Sequence, residues 1–312
     1  MRIGYACLCL GVPGTHKRTL QLKNITENGL LDIIENNLNA LEKMLDYNFE
    51  NQIYLYRIGS DIIPFGSAPE NNLKWWEIFQ DKFQSIGSKI KKYQTRVSMH
   101  PGQYTVLNSP DEAIVRRAVA DLEYHNRVLD ALGLDGTHKL ILHIGGVYKD
   151  KALARERFIA NYRNLNEKIK KRLVIENDDK AFTVEDVLYI SKKTGIPVIY
   201  DNLHNKLNPA DSSKSDSYWI DLCHRTWKKK DGHQKIHYSE QSHTKQKGSH
   251  SHTIILHDFL SFYNSLPDKD IDIMLEVKDK NLSAVKCINT LTSSTLENEW
   301  NIYKYFVLER SL

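Results

Sequence analysis

Histidine and carboxylate side chains recur where short apolar runs of this sequence end. His100, His143, Glu176, Asp201, His237 and Glu276 stand at or next to the close of such runs, and His204 and His250 lie in the polar connections just beyond two of them. If the runs are strands, their side chains alternate between two faces. Ile141 then shares a face with His143, Val174 with Glu176, Ile199 with Asp201 and Met274 with Glu276. Each pair sets an apolar group deeper and a metal-capable group nearer the rim. Acids and imidazoles converging on one mouth repel and lose hydration unless cations neutralise the acids. Mixed imidazole and carboxylate donors suit manganese, zinc or iron better than magnesium or calcium. Two or three such ions form a phosphoryl-transfer device. They hold nonbridging oxygens, bring the pKa of water down to about 7 and stabilise the leaving oxygen.

The chain carries 13 His, more than structural cores use and consistent with a metal site. His16, His125, His138, His224, His233, His243 and His257 fall outside the strand-end pattern and read as surface or supporting residues. Asp178 and Asp179 follow Glu176 directly and fit a turn or helix start. His250 and His252 lie in a polar stretch at the start of a helix.

The elements that must position these groups follow from hydrophobic period. Strands are expected at Arg2–Leu8, Gln52–Ile58, Arg96–His100, Leu140–Ile144, Leu173–Glu176, Pro197–Asp201, Lys235–Ser239 and Ile271–Val277, short and rich in Ile, Val, Leu or Tyr. Helices are expected at Ile25–Tyr47, Asp111–Leu132, Ala152–Lys170, Thr183–Thr194 and Ser283–Leu291. Strands alternating with helices, with no linker between halves, predict an α/β fold: a single (β/α)8 TIM barrel over residues 1–292. Residues 293–312 then form a C-terminal extension, whose Trp300, Tyr303 and Phe306 suggest a docked helix. A doubly wound sheet is disfavoured because Gly11–Val12–Pro13–Gly14 lacks the spacing of a dinucleotide fingerprint.

Composition narrows the classes. Over 312 residues, 41% hydrophobic and 26% charged content exclude general disorder. A net charge of +4 permits nucleic acid as a partner without requiring it. Four Cys (Cys7, Cys9, Cys223, Cys287) are too few for a disulfide framework and fit a reduced, cytoplasmic protein. The apolar stretch after Arg2 lacks a cleavage pattern, and no apolar run approaches a membrane span. Basic residues at Lys89, Lys91, Lys92 and Arg96 precede the third strand and read as a solvated face, whereas Lys17, Arg18, Lys149, Lys151 and Lys206 are better placed to meet phosphates.

Several segments together resemble the ultraviolet damage endonucleases: Leu55–Tyr56–Arg57, Met99–His100–Pro101–Gly102–Gln103–Tyr104–Thr105, His143–Ile144–Gly145–Gly146, Ile175–Glu176–Asn177–Asp178–Asp179, Asp201–Asn202–Leu203–His204, Lys235–Ile236–His237 and Ser249–His250. The resemblance covers nearly the whole chain, and the family is similar in fold and metal site to the endonuclease IV group. It implies a manganese-dependent enzyme that nicks double-stranded DNA immediately 5′ to cyclobutane dimers, 6-4 photoproducts and some abasic sites, leaving a 3′-hydroxyl. It implies two or three divalent ions, with His100, His143, Glu176, Asp201, His204, His237, His250 and Glu276 as ligands and Glu176 and Glu276 at the centre. Glu176, Glu276 and Lys235 become the expected catalytic groups. Lys235 shares a face with His237; it is either carboxylated, as the matching family lysine can be, or a phosphate-binding lysine. Gln103, Tyr104, Tyr5 and Arg57 become the expected DNA-contacting set, with Gln103–Tyr104 entering the duplex at the lesion. The expected protein is a nucleoid-associated monomer without membrane contact. A sugar isomerase or epimerase on a related metal barrel is the alternative, and a non-catalytic scaffold a third reading.

Overall fold

Eight four- or five-residue strands carry the architecture: β1 (Ile3–Ala6), β2 (Leu55–Ile58), β3 (Arg96–Met99), β4 (Lys139–His143), β5 (Leu173–Glu176), β6 (Val198–Asp201), β7 (Lys235–Tyr238) and β8 (Asp272–Leu275). In this computed structural model, which describes residues 1–293, they pair in parallel in chain order, and β8 returns to β1 to close the barrel. The expected tail helix at 294–312 lies outside the described residues. Around the barrel run α1 (Glu27–Glu50), α2 (Trp75–Ile78), α3 (Gln80–Lys92), α4 (Glu112–Ala131), α5 (Lys151–Arg163), α6 (Glu167–Arg172), α7 (Val184–Thr194), α8 (Asn202–Leu207), α9 (Asp216–His224) and α10 (Leu256–Ser265); residues 281–293 are also helical. Among the described residues no helix is long and apolar enough to cross a membrane.

Local chemistry explains the helix limits. Thr26 accepts from the Gly29 amide to start α1, and Leu30, Ile33, Ile34, Leu38, Leu41 and Leu45 form its buried stripe. Thr183 and Asp186 cap α7 reciprocally, and Gly195, at φ +79°, ends it. The single helix expected over Ala152–Lys170 is two, because Asn166 accepts from the Lys168 amide and starts a new one. The helix expected at His250 begins only at Leu256; His250 instead pairs with Gln241 in an isolated antiparallel bridge. Helix α3 escapes the sequence reading although Phe83, Ile86 and Ile90 give it a buried face.

Two apolar cores result. The larger one lies between barrel and helices. Inside the lumen are smaller groups, Ala6, Leu55 and Met274 on one side and Ile141, Val174 and Ile199 on the other. Below them the lumen holds buried charge pairs. Arg96, expected on a solvated face, is buried, because it opens β3 and its side chain enters the barrel floor. It donates to Asp272 Oδ2 (2.8 Å) and to the carbonyls of Thr137, Asp231 and His233. Lys139 pairs with Asp231 at 2.7 Å.

Tyr5 is removed from the DNA-contacting set. It points outward from β1 into the layer beneath α1, is 0% exposed, and donates to Asn48 Oδ1 at 2.8 Å. Its ring meets Tyr56 edge-on at 5.2 Å. Gly4 lies where β1 and β2 approach closely: a Cβ there would collide with the Leu55 carbonyl. Gly4→Val should therefore lower stability by about 1–3 kcal/mol through overpacking, read as an earlier urea midpoint with unchanged slope; an unshifted midpoint would show that the strands can separate freely. Tyr5→Phe should cost about 1–2 kcal/mol by orphaning Asn48 while leaving affinity for irradiated duplex unchanged; a selective loss of that affinity would return Tyr5 to the interface.

Candidate metal centre

Glu176 is the hub of the barrel mouth. It ends β5, is 1% exposed, and its Oε1 lies 2.8 Å from Nε2 of both His100 and His143. Its Oε2 lies 2.5 Å from His237 Nδ1, which is also 3.4 Å from Glu276 Oε1 and 4.0 Å from Asp201 Oδ2. His204 Nδ1 is 3.8 Å from Asp201 Oδ2, and His250 Nε2 is 3.9 Å from Glu276 Oε2. The structure therefore brings all eight sequence-derived candidates to one rim.

Register and two asparagines set this geometry. The ladder places His143 beside Glu176 and Asp201 beside His237. Past the end of β5, Asn177 donates to the Asp201 carbonyl (3.0 Å) and accepts from the Asp201 amide (2.9 Å). Its own carbonyl meets His204 Nδ1 at 2.9 Å. Asn202 repeats the device with the amide and carbonyl of Ser239, just past the end of β7. Neither asparagine was singled out from sequence. The signal available was an amide side chain directly after Glu176 and after Asp201. Asp201 caps α8 through the His204 amide (2.8 Å), which turns the three-residue spacing into proximity. Asp178 accepts from the amides of Lys180 and Phe182, the turn role expected for it.

Four of these side chains have buried polar atoms without a hydrogen-bond partner: Glu176 Oε2, Asp201 Oδ2, His143 Nδ1 and His237 Nδ1. Glu176 Oε2 and His237 Nδ1 are close yet do not meet in hydrogen-bond geometry. Orphaned buried acceptors cost free energy that a cation shared between them would recover. Two sets of ligand atoms are compact enough to hold an ion, His100–His143–Glu176 and Glu176–Asp201–His237, with Glu176 common to both. The residues present fit a divalent metal.

The electrostatics agree. Burial opposes ionisation of Glu176, but His143, His237 and His100 hold its pKa well below the usual carboxylate range. Burial pushes Asp201 up, partly offset by His204 and reinforced by Glu276 and Glu176. Burial disfavours charge on His204, yet Asp201, Glu176 and Glu276 outweigh it and raise its pKa to about 9. The cluster thus draws positive charge.

The other expected site residues divide. Gln103 and Tyr104 stand on an exposed turn after β3, Tyr104 68% exposed. The turn is held by Thr105, which donates to Asp121 Oδ2 at 2.5 Å. Both line a cleft of about 1000 Å³ that also reaches Arg117, Tyr148, His143 and His204. Arg57 faces inward instead, 7% exposed, with Nη2 2.5 Å from Glu276 Oε1 and 2.9 Å from His237 Nε2. Lys235 lies beneath the cluster, fully buried, its Nζ without a hydrogen-bond partner. That burial excludes direct phosphate contact. Among the basic rim residues, Lys17 is paired with Asp61 and Lys151 with Asp186, whereas Lys206 is exposed. His125, expected at the surface or in support of the site, is a core residue bonded to the Asp121 carbonyl at 2.7 Å.

Comparison with known proteins places this arrangement. The profile of the family described as UV-endonuclease UvdE matches residues 1–301. A UV DNA damage endonuclease of Clostridium perfringens is 48% identical over 317 residues, covering 99% of this chain and 77% of that protein. The crystal structure of SacUVDE superposes with a TM-score of 0.89 at 39% identity, covering 95% of this chain and 99% of the other. Endonuclease IV from Thermus thermophilus shares the fold at a TM-score of 0.59 and 11% identity, covering 94% of this chain and 99% of that one. By profile, identity and coverage, this chain belongs to the UV-endonuclease family.

Proposed function

We propose that this chain is a metal-dependent DNA-repair endonuclease that nicks the backbone immediately 5′ to ultraviolet photoproducts, both cyclobutane dimers and 6-4 products, and at some abasic sites, leaving a 3′-hydroxyl. The observation that carries the reading is the shared carboxylate: Glu176 joins two compact ligand sets beneath an open cleft. The ligands are His100, His143, Glu176, Asp201, His204, His237, His250 and Glu276, and manganese suits their mixture of imidazole and carboxylate. When bound, the ions supply a hydroxide nucleophile at neutral pH and charge stabilisation for the leaving oxygen. The chain's own residues do the rest. Asn177 and Asn202 fix the strand ends, the buried walls keep the carboxylates poorly hydrated, and the neighbouring imidazoles and Arg57 favour the ionised forms of Glu176 and Glu276. His204 and His250, on the solvent side, face the incoming phosphodiester.

Lys235 has a separate role in this reading. Burial, and then Arg96, pushes its pKa well down, which favours the neutral amine. A neutral amine adds carbon dioxide and releases a proton, giving a carbamate that would present an anion to the cluster. Gln103 and Tyr104 act on the duplex. Their exposed amide and ring are suited to replace the stacking and pairing of extruded bases. A photodimer stacks poorly and costs less to extrude than intact bases, so the wedge selects damage. The substrate is double-stranded DNA, and the enzyme acts as a monomer at the cytoplasmic nucleoid.

Glu176→Gln should reduce manganese-dependent nicking of irradiated supercoiled plasmid by about 100-fold or more while the protein stays folded; undiminished nicking would defeat the shared-carboxylate mechanism. Replacing both Gln103 and Tyr104 by Ala should bring the affinities for irradiated and intact duplex together, by about 1–3 kcal/mol for the lost stacking. An unaltered ratio in gel-shift titrations would show that discrimination lies elsewhere.

A further inference from the structure

The exposed ring of Tyr104 rests on Gly102, where a Cβ would collide with it, and borders two cavities, of about 1000 Å³ and about 450 Å³. A ring so placed is held by its backbone rather than by packing. Thr105, 2% exposed, is the anchor: its amide donates to the Gly102 carbonyl at 2.9 Å and its hydroxyl to Asp121 Oδ2 at 2.5 Å. Asp121 is itself buried on α4, and its Oδ1 accepts from Ser67 Oγ at 2.8 Å, in the connection after β2. One carboxylate thus joins the two connections that flank the ring. The same face of α4 ties them again. Tyr124 donates to the Ser60 carbonyl (2.7 Å) and accepts from the Ile63 amide (3.3 Å), while Ser60 Oγ donates to the His100 carbonyl (2.6 Å). His125 Nδ1 is spent on the Asp121 carbonyl at 2.7 Å. Among the described residues no Lys or Arg pairs with Asp121, whose one ion-pair neighbour is His125 at 3.6 Å.

We infer that Asp121 is a positioning residue that stiffens the Gln103–Tyr104 wedge and thereby sets how strongly the protein prefers damaged to intact duplex. This rests on the wedge reading above. A buried carboxylate is tolerated only while donors surround it. Here the side-chain donors are two hydroxyls from separate connections, so withdrawing either connection orphans a buried oxygen. A carboxylate accepts from both hydroxyls at once, whereas an amide offers one accepting oxygen and turns an N–H toward the other. A wedge held in this way enters any duplex as a rigid body. Intact bases must then unstack in full, and a photodimer, already poorly stacked, less so. A loose wedge would swing into the cavity beside it and let intact duplex bind without unstacking. Its ordering would also be charged against damaged DNA at the moment of binding.

The test is a set of gel-shift titrations of the full-length chain with irradiated and intact duplex, with manganese content followed by elemental analysis. Thr105→Val and Asp121→Asn should each lower the damaged-to-intact affinity ratio by about 10-fold, the worth of about one charge-assisted hydrogen bond. Thr105→Ser, which keeps the hydroxyl, should retain the ratio. Thr105→Val added to the Gln103→Ala, Tyr104→Ala double variant should change the ratio no further, since it acts only through the wedge. Manganese content should match the parent throughout. An unaltered ratio in folded Thr105→Val, an equal loss in Thr105→Ser, or a further loss in the wedge-less background would overturn the inference. Manganese lost together with the ratio would also overturn it, by making the network a support for His100. Should circular dichroism show Thr105→Val unfolded, Ser67→Ala, which cuts the second strut, takes its place with the same outcomes. If the wedge double variant itself keeps the parent's ratio, the wedge reading falls and this inference with it.

Discussion

Burying three carboxylates within a few ångströms of one another is the constraint to which the rest of this molecule answers. Like charges in a poorly hydrated mouth are tolerated only when cations, hydrogen-bond donors or both surround them. Here His100, His143 and His237 crowd Glu176, His204 stands by Asp201, and Arg57 pairs with Glu276. The partners leave several acceptor atoms orphaned. The arrangement is most of a coordination shell, with acceptor atoms left open that a metal could take.

Holding that shell requires a rigid frame, and the strands are too short to supply it alone. Asn177 and Asn202 extend the pairing beyond the ladder by exchanging hydrogen bonds with the neighbouring strand's backbone. The result is that the ends of β5, β6 and β7 are locked to one another above the last ladder bonds. The connections can then differ in length and chemistry, as the exposed Gln103–Tyr104 turn and the Gln241–His250 bridge do, without loosening the ligands.

The lumen is polarised from floor to rim. Arg96 and Lys139 occupy the floor with Asp272 and Asp231, small apolar groups fill the middle, and the acids and imidazoles crown it. Lys235, with no hydrogen-bonding partner, lies between the charge-paired floor and the acidic crown. Burial, and then Arg96, lowers the pKa of an amine in that position, which makes it chemically distinct from a solvated surface lysine.

Much of the fold was legible because period-two apolar runs ending in His, Glu or Asp are local features. All eight strands fall within a few residues of their expected limits, and alternation singles out the strand-end His, Glu and Asp, whereas His204 and His250 come from the family resemblance. Boundaries set by capping were less legible: the break at Asn166 and the late start of α10 depend on single hydrogen bonds or a bridge. The side chains whose direction is decided by neighbours were not legible at all. Sequence places Tyr5 and Arg57 at strand ends, but the pleat turns Tyr5 out toward Asn48, and Glu276, 219 residues away, draws Arg57 inward. Arg96 likewise reads as a surface charge until barrel closure sets Asp272 beside it. The sequence by itself determined which strand-end residues are of a type that could bind metal and which face each takes, since both depend on residue type and local geometry. Only the tertiary structure decided which charges are paired and which are left open, because that depends on distances between strands that closure brings together.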